Sequence, residues 1–354
     1  MKIKNLELIN FRNYDHYTVE FNDNNLIIGN NGTGKTSILE AVNILATARS
    51  PITHGINKCI KHGQKGFIIS GNFEKDNHET VTIIFRQEKD VQRVIKINDV
   101  VLKKSSELLG QVNSVIFLPN DIDLIQGTPQ GRRKYLDIVI SQLNSHYYEL
   151  LQQEAVILKQ RNALLKAIRE KRQPENMLDG WDEQLLNVGL KIFEARREKI
   201  KILGDILSRY YGSSGFNQKV ELVYKTQFSA NQANNKQELL DRRRFDIISG
   251  TTSFGVHRDD IQILCNKLPA AEFCSQGQQR LLVVCLKLAE AELKKNEQGE
   301  PLLLVDDVLL ELDLERFNKL LKETLGVSQK IFTVTDTARF EAEILTQLNQ
   351  IKLD

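Results

Sequence analysis

The run Gly29-Asn30-Asn31-Gly32-Thr33-Gly34-Lys35-Thr36 is the part of this chain best equipped for chemistry. It fits G-x-x-x-x-G-K-[ST], in which glycines let backbone N–H groups close around phosphate oxygens. Lys35 would reach the β- and γ-phosphates of a nucleotide, and the Thr36 hydroxyl would hold Mg2+. Ser37 continues into a helix whose N-terminal dipole favours the same anion. Residues Gly29 through Ser37 are therefore expected to bind the nucleotide.

A second centre lies near the C-terminal end. Leu302-Leu303-Leu304-Val305 is an apolar run ending in Asp306-Asp307. A phosphate-loop enzyme needs one carboxylate at a strand end for the metal shell, which fits Asp306. An adjacent acid can orient or deprotonate an attacking water, which fits Asp307. The plain alternative is a solvated acidic turn after a core strand. About 25 residues upstream, Cys274-Ser275-Gln276-Gly277-Gln278-Gln279-Arg280 opens a long helix. The Ser275 hydroxyl and the free N–H groups of that first turn form a second anion-binding device. The same residues also spell an ordinary cap, with Ser275 at the N-cap and Gln278 at the capping-box position. The two readings coexist, since a cap exposes the same donors.

These centres need elements to hold them. Asn25-Leu26-Ile27-Ile28 reads as a buried strand before the loop, and Ser37-Ile38-Leu39-Glu40-Ala41-Val42 as the start of a helix after it, which is the context the motif requires. Strands are predicted at Ile3–Ile9, Val19–Phe21, Phe67–Phe73, Thr80–Phe85, Val94–Ile97 and Val115–Leu118, several joined by turn-forming Asn and Asp. Residues 130–210 change character. Leu150, Ile157 and Leu164 recur every seven residues, as do Leu151, Leu158 and Leu165, and Leu178, Leu185, Ile192 and Ile206 fall on a matching repeat. With a break at Arg172-Gln173-Pro174-Glu175-Asn176, this predicts a helical hairpin, each helix of about 27 residues extending roughly 40 Å. Periodicity alone does not separate a projecting arm from a bundle folded back on the body. After Gly212-Ser213-Ser214-Gly215 short strands return at Val220–Tyr224 and Asp260–Leu264. A helix follows over Gln278–Lys295, then strands at Leu302–Val305 and Ile331–Val334.

Composition sets limits. The chain has 354 residues, 41% hydrophobic and 27% charged, enough for a substantial core. The formal charge of +2 argues for no nucleic-acid partner by itself; local basic surface would have to supply one. Cys59, Cys265, Cys274 and Cys285 lack metal-site spacing and suit a reducing compartment. No apolar run approaches the roughly 20 residues of a membrane span. No secretory signal is visible, so the expectation is a cytoplasmic protein.

About 270 residues separate Gly29 from Asp306. A phosphate loop near the N-terminus, a helical insertion, then Ser-x-Gly-Gln just before the acidic strand resemble the ATP-binding-cassette ATPases of the SMC and Rad50 type. Within that group, the chain is similar to the branch serving bacterial DNA replication and repair. The resemblance spans nearly the whole length. It includes Asn10-Phe11-Arg12-Asn13-Tyr14, Phe117-Leu118-Pro119-Asn120-Asp121, residues 127–137, Leu158-Lys159-Gln160-Arg161-Asn162, His257-Arg258-Asp259-Asp260 and Asp306-Asp307-Val308. There are departures. Val256 stands where that branch carries proline. Leu310 replaces a small polar residue before Glu311-Leu312-Asp313, the stretch resembling the D-loop. Thr335 follows the last strand in place of a γ-phosphate-sensing histidine. Asp307 stands where many cassette ATPases have glutamate, so slow turnover is expected.

The resemblance implies an α/β fold: an ABC-type P-loop ATPase head with a strand-rich N-terminal lobe and a short helical-hairpin arm. Residues 1–130 and 213–354 would form the two parts of the head and 131–212 the hairpin. It implies ATP and Mg2+ as cofactors, with Lys35, Thr36 and Asp306 of one subunit on the phosphates and metal. Ser275, Gln276, Gly277 and Gln278 of a second subunit would cover the γ-phosphate, with Asp307 as the catalytic acid. ATP would thus drive a homodimer, with weak DNA-stimulated hydrolysis releasing it. The implied partners are gapped or junction DNA, held mainly by its backbone, and recombination mediator proteins of the same pathway; no membrane is implied. Arg132-Arg133-Lys134, Lys166-Arg169-Lys171-Arg172, Arg196-Arg197-Lys199-Lys201 and Arg242-Arg243-Arg244 are candidate basic surfaces, each alternatively a solvated helix face. Arg12 is a candidate phosphate or DNA contact. His257-Arg258-Asp259-Asp260 fits a structural ion-pair role. The rival readings are a transporter-type cassette subunit and a scaffold that binds ATP without hydrolysing it.

Overall fold

The computed structural model describes residues 1–353 except 54, 217, 308–328 and 339, so Val308, Leu310 and Glu311-Leu312-Asp313 lie outside the described residues. The chain divides into two compact units. One comprises Met1–Ile122, Ser213–Phe216 and Ser275–Asp354; the other comprises Asp123–Gly212 and Asn217–Cys274.

The first unit carries a five-stranded sheet in the order Asn349–Lys352, Asn24–Ile28, Lys330–Val334, Leu302–Asp306, Ser114–Phe117, every pair parallel. Parallel strands are covered on both faces and read as unbroken apolar runs rather than alternating ones. Leu302–Asp306 and Lys330–Val334 are accordingly buried at every position. The strand Asn349–Lys352 lacks that signature and was not predicted. Because one strand separates Asn24–Ile28 from Leu302–Asp306, the loop and the acidic pair leave the sheet from the same edge, beyond the strands' C-terminal ends. Ligand crevices form there in open parallel sheets.

A six-stranded antiparallel sheet runs Tyr14–Glu20, Lys2–Phe11, Gly66–Glu74, Thr80–Glu88, Val94–Ile97, Val100–Val101. Its strands alternate: Phe67, Ile69, Gly71 and Phe73 point inward and the residues between them outward. The helix Lys35–Thr47 gives Ile38, Leu39, Val42 and Leu45 to one core shared with Leu6, Phe67 and Phe85 and with Leu304 and Ile331. The element that follows the phosphate loop is thereby locked to both sheets.

The second unit contains the expected hairpin, Ser145–Arg169 and Leu178–Ser213, preceded by the helix Pro129–Leu143. The longer helix has 36 residues, about 54 Å of rise. Its seam is only partly apolar. Leu150, Ile157, Leu165, Leu178, Leu185, Ile192 and Ile206 are buried, whereas Leu151, Leu158 and Leu164 are partly exposed. Polar residues are buried among them: Glu154, Arg161, Asp182 and Arg196. Arg161 donates to Asp182 at 2.7 Å, to Asp246 at 2.7 Å and to Thr252 at 2.9 Å.

The hairpin does not stand alone. It shares a unit with the antiparallel strands Val220–Lys225, Asp260–Cys265 and Leu268–Pro269, and with the helix Gln232–Ser249. Phe193 stacks on Tyr224, and Phe228 links Phe193 to Phe254. Asn217–Cys274 thus groups with the hairpin. No described helix is long and apolar enough to cross a membrane. All four cysteines are buried and none is in a disulfide.

Candidate nucleotide site

The loop leaves the strand Asn24–Ile28 at Gly29, whose N–H donates to the Val334 carbonyl of the neighbouring strand at 3.3 Å. Gly32 and Gly34 adopt φ of 88° and 105°, the left-handed region that suits glycine. Asn30, Asn31 and Gly32 are exposed, while Lys35 is buried and Thr36 and Ser37 partly so in the first helical turn. The Lys35 ammonium folds back over the loop, donating to the Gly29 carbonyl at 2.7 Å and the Asn30 carbonyl at 3.1 Å. It therefore already sits at the loop mouth, where a phosphate would exchange with these carbonyls.

Thr36 and Asp306, 270 positions apart in sequence, meet: the Thr36 hydroxyl lies 2.9 and 2.8 Å from the two Asp306 oxygens. Thr333, on the intervening strand, donates to Asp306 at 2.6 Å. Burial pushes the Asp306 carboxyl above its ordinary range, against the Thr333 and Thr36 hydrogen bonds and the Lys35 charge. A hydroxyl and a carboxylate at a phosphate loop are the hard oxygen donors that Mg2+ takes together with phosphate oxygens. Asp307 follows with φ of 45°, and its buried Oδ1 has no hydrogen-bond partner. Burial first, and the Asp306 charge second, push its carboxyl up as well, while Lys35 opposes them. An unsatisfied carboxylate oxygen beside Asp306 and the phosphate loop is equipped to accept a proton from water.

The cap predicted at the second centre is in place. The Ser275 hydroxyl accepts from the Gln278 N–H at 3.3 Å, and Gln278 Oε1 accepts from the Ser275 N–H at 2.9 Å, closing a capping box on the helix Gln276–Gln298. Ser275, Gln276 and Gly277 are exposed, and a side chain at Gly277 would meet no atom within 4 Å. The predicted motif is therefore presented outward.

Two expectations change. Arg12 pairs with Glu40, which is 1% exposed, at 2.7 Å through Nε and 2.6 Å through Nη2, so it is neither a free surface arginine nor an open anion contact. This pair escaped the sequence reading, because Glu40 sits inside an apolar helical run and looks like a solvated position. Several basic residues proposed for DNA are likewise committed internally. Arg132 chelates Asp260 at 2.8 and 2.9 Å, Arg133 donates to the Asp259 carbonyl, and buried Arg196 binds Asp137, Asp259 and the Val256 carbonyl. Arg243 bridges Asp179 and Asp182. Finally, His257-Arg258-Asp259-Asp260 is a hub of these pairs: Tyr224 donates to Asp259, and His257 and Arg258 hold the Thr252 carbonyl. Lys134, Lys166, Lys171, Arg197, Lys201 and Arg244 remain exposed.

A family profile described as "RecF/RecN/SMC N terminal domain" matches residues 2–351. The chain is 35% identical over 356 residues to "DNA replication and repair protein RecF" of Cyanothece sp., covering 98% of this chain and 94% of that protein. It is 37% identical to the protein of the same name from Clostridioides difficile, covering 96% and 92%. The solved "recombination mediator protein RecF-ATP in RecFOR pathway" superposes with a TM-score of 0.91 at 33% identity, covering 96% and 93%. An SMC head bound to a ScpA winged-helix domain gives 0.57 at 16% identity, a likeness of fold alone.

Proposed function

The chain belongs to the RecF/RecN/SMC N-terminal domain family, among its RecF-type DNA replication and repair proteins, and on that premise we propose that it is an ATP-gated DNA-binding protein of cytoplasmic recombinational repair. Lys35, Thr36 and the backbone of Gly29–Ser37 hold the triphosphate. Thr36 and Asp306 would hold Mg2+, which would supply charge neutralisation to the triphosphate. Ser275 and Gly277 of a second copy cover the γ-phosphate, so ATP joins two heads. Asp307 orients or deprotonates the attacking water, and slow hydrolysis parts the dimer. RecF structures that contain ATP or its thio analogue, at 33% and 34% identity, support the nucleotide assignment.

The observation that carries the two-headed reading is the exposed start of the helix Gln276–Gln298, with open space over Gly277. Ser275, Gln276 and Gly277 face solvent there, within reach of another surface. DNA would be held through backbone phosphates by the exposed lysines and arginines rather than by base-reading contacts. Gapped and junction DNA are the proposed substrates, and mediator proteins of the same pathway the proposed partners. The deciding experiment is size exclusion with light scattering in ATP, ADP or no nucleotide, each with and without gapped DNA. A dimer only with ATP, stabilised by DNA, supports the reading. A monomer under all conditions overturns it.

A further inference from the structure

We propose that Arg12 is a positioning residue for nucleotide binding, acting through Glu40 to press the hairpin turn Arg12-Asn13 onto the phosphate loop. The inference rests on the reading that the loop binds ATP. Strand Lys2–Phe11 reverses into Tyr14–Glu20 through only two residues, with Phe11 paired to Tyr14. Arg12 takes φ of 55° there, the left-handed value that the first position of a two-residue hairpin turn calls for and that a Cβ-bearing residue adopts at a cost.

The surroundings do hold it. Its guanidinium forks onto buried Glu40, its Nη1 donates to the Lys58 carbonyl at 3.1 Å, and its own N–H donates to the Cys59 carbonyl at 2.8 Å. Ser50 and Cys59 also donate to Glu40 Oε1. Glu40 lies in the helix that begins at Lys35, so the turn is fastened to the element that follows the loop.

The next two residues touch the loop itself. Asn13 Nδ2 donates to the Thr33 carbonyl at 3.0 Å, and the Tyr14 hydroxyl reaches the same oxygen at 3.4 Å. A methyl group at Gly34 would stand 2.6 Å from the Tyr14 hydroxyl and 2.8 Å from the Asn13 side chain, which shows how closely the turn covers the loop. A loop that offers its N–H groups to phosphate must turn its carbonyls elsewhere. Those of Gly29 and Asn30 face Lys35, which a phosphate would draw away. The Thr33 carbonyl is held by the turn, whose hold does not depend on the ligand. Arg12 thereby lowers the reorganisation needed on binding without touching the ligand.

The test is ATP affinity, with thermal melting of the nucleotide-free protein alongside, for wild type, Arg12→Ala, Asn13→Ala, the double variant and Arg12→Lys. Asn13 is exposed, so its replacement leaves the fold intact. Arg12→Ala and Asn13→Ala should each weaken ATP by about tenfold, with the double variant no weaker than Arg12→Ala, since both act through one turn. Arg12→Lys, which keeps the charge without the fork, should fall between. Should Arg12→Ala fail to fold, Arg12→Lys and Asn13→Ala carry the same comparison. Three outcomes count against the idea. Arg12→Ala affinity within twofold of wild type, with only melting affected, makes the pair merely structural. Losses that multiply in the double variant make Arg12 independent of the turn. A wild type that binds no nucleotide removes the ATP reading and this inference together, whereas binding by wild type and variants alike removes this inference alone.

Discussion

Asp306 and Asp307 stand side by side at a strand end, and both carboxyls are held above the ordinary range. A carboxyl whose folded pKa exceeds its unfolded value binds more protons in the folded state, so stability falls as pH rises through that window. The cost is absent well below the unfolded value, about 4, and complete above the folded one. Removing the charge should therefore help the nucleotide-free fold at neutral pH. Asp307→Asn is expected to raise its Tm at pH 7.5 and to lose that advantage below about pH 3, as scanning calorimetry would register; a lower Tm at both pH values contradicts the assignment. The same variant should bind ATP and form dimers, with turnover reduced by about 100-fold or more as the general base is lost. Wild-type turnover would remove Asp307 from that role. Lys35→Ala should weaken ATP by about 10- to 100-fold, the range for removing a charged hydrogen-bond donor from a phosphate, as calorimetric titration would show.

The elements explain why some features could be read and others could not. The phosphate loop and the buried acidic strand announced themselves because local geometry dictates their residue types: glycine for left-handed φ, unbroken aliphatics for a covered parallel strand. The helix Gln232–Ser249 gave no such signal. Its buried positions are Asn235, Leu239 and Asp246, while Phe245 and Ile248 face solvent, so its hydrophobic period is inverted. The hairpin was found from its leucines, but its polar seam was not, since a buried Arg161 in a helix looks like any surface arginine until Asp182 and Asp246 arrive from distant sequence. That seam yields an expectation at this scale. Arg161→Ala leaves buried Asp246 without its ionic partner and takes one of two from Asp182, which keeps Arg243, and should cost about 3–5 kcal/mol. Denaturant unfolding followed by the fluorescence of Trp181, the chain's single tryptophan and the neighbour of Asp182, reads it directly. A loss under about 1 kcal/mol would mean that the seam is solvated.

At the scale of the whole molecule, a formal charge of +2 gives no general attraction to DNA. Binding by backbone neutralisation must then come from a few exposed cations, doubled when two copies join. Affinity for gapped DNA should fall steeply with salt in the presence of ATP, and a flat salt response in an anisotropy titration would count against backbone contacts. The central claim is that each bound triphosphate is completed by donors from a second chain, and mixing two inactive variants tests it most directly. Lys35→Ala lacks the phosphate grip but keeps its signature helix; Ser275→Ala keeps the grip and lacks the cover. Either alone should fail to hydrolyse ATP. In an equal mixture, random pairing makes half the dimers mixed, each with one intact composite site, so about a quarter of wild-type turnover should return. A mixture as inactive as its components, with both proteins folded, would show that the site is not shared.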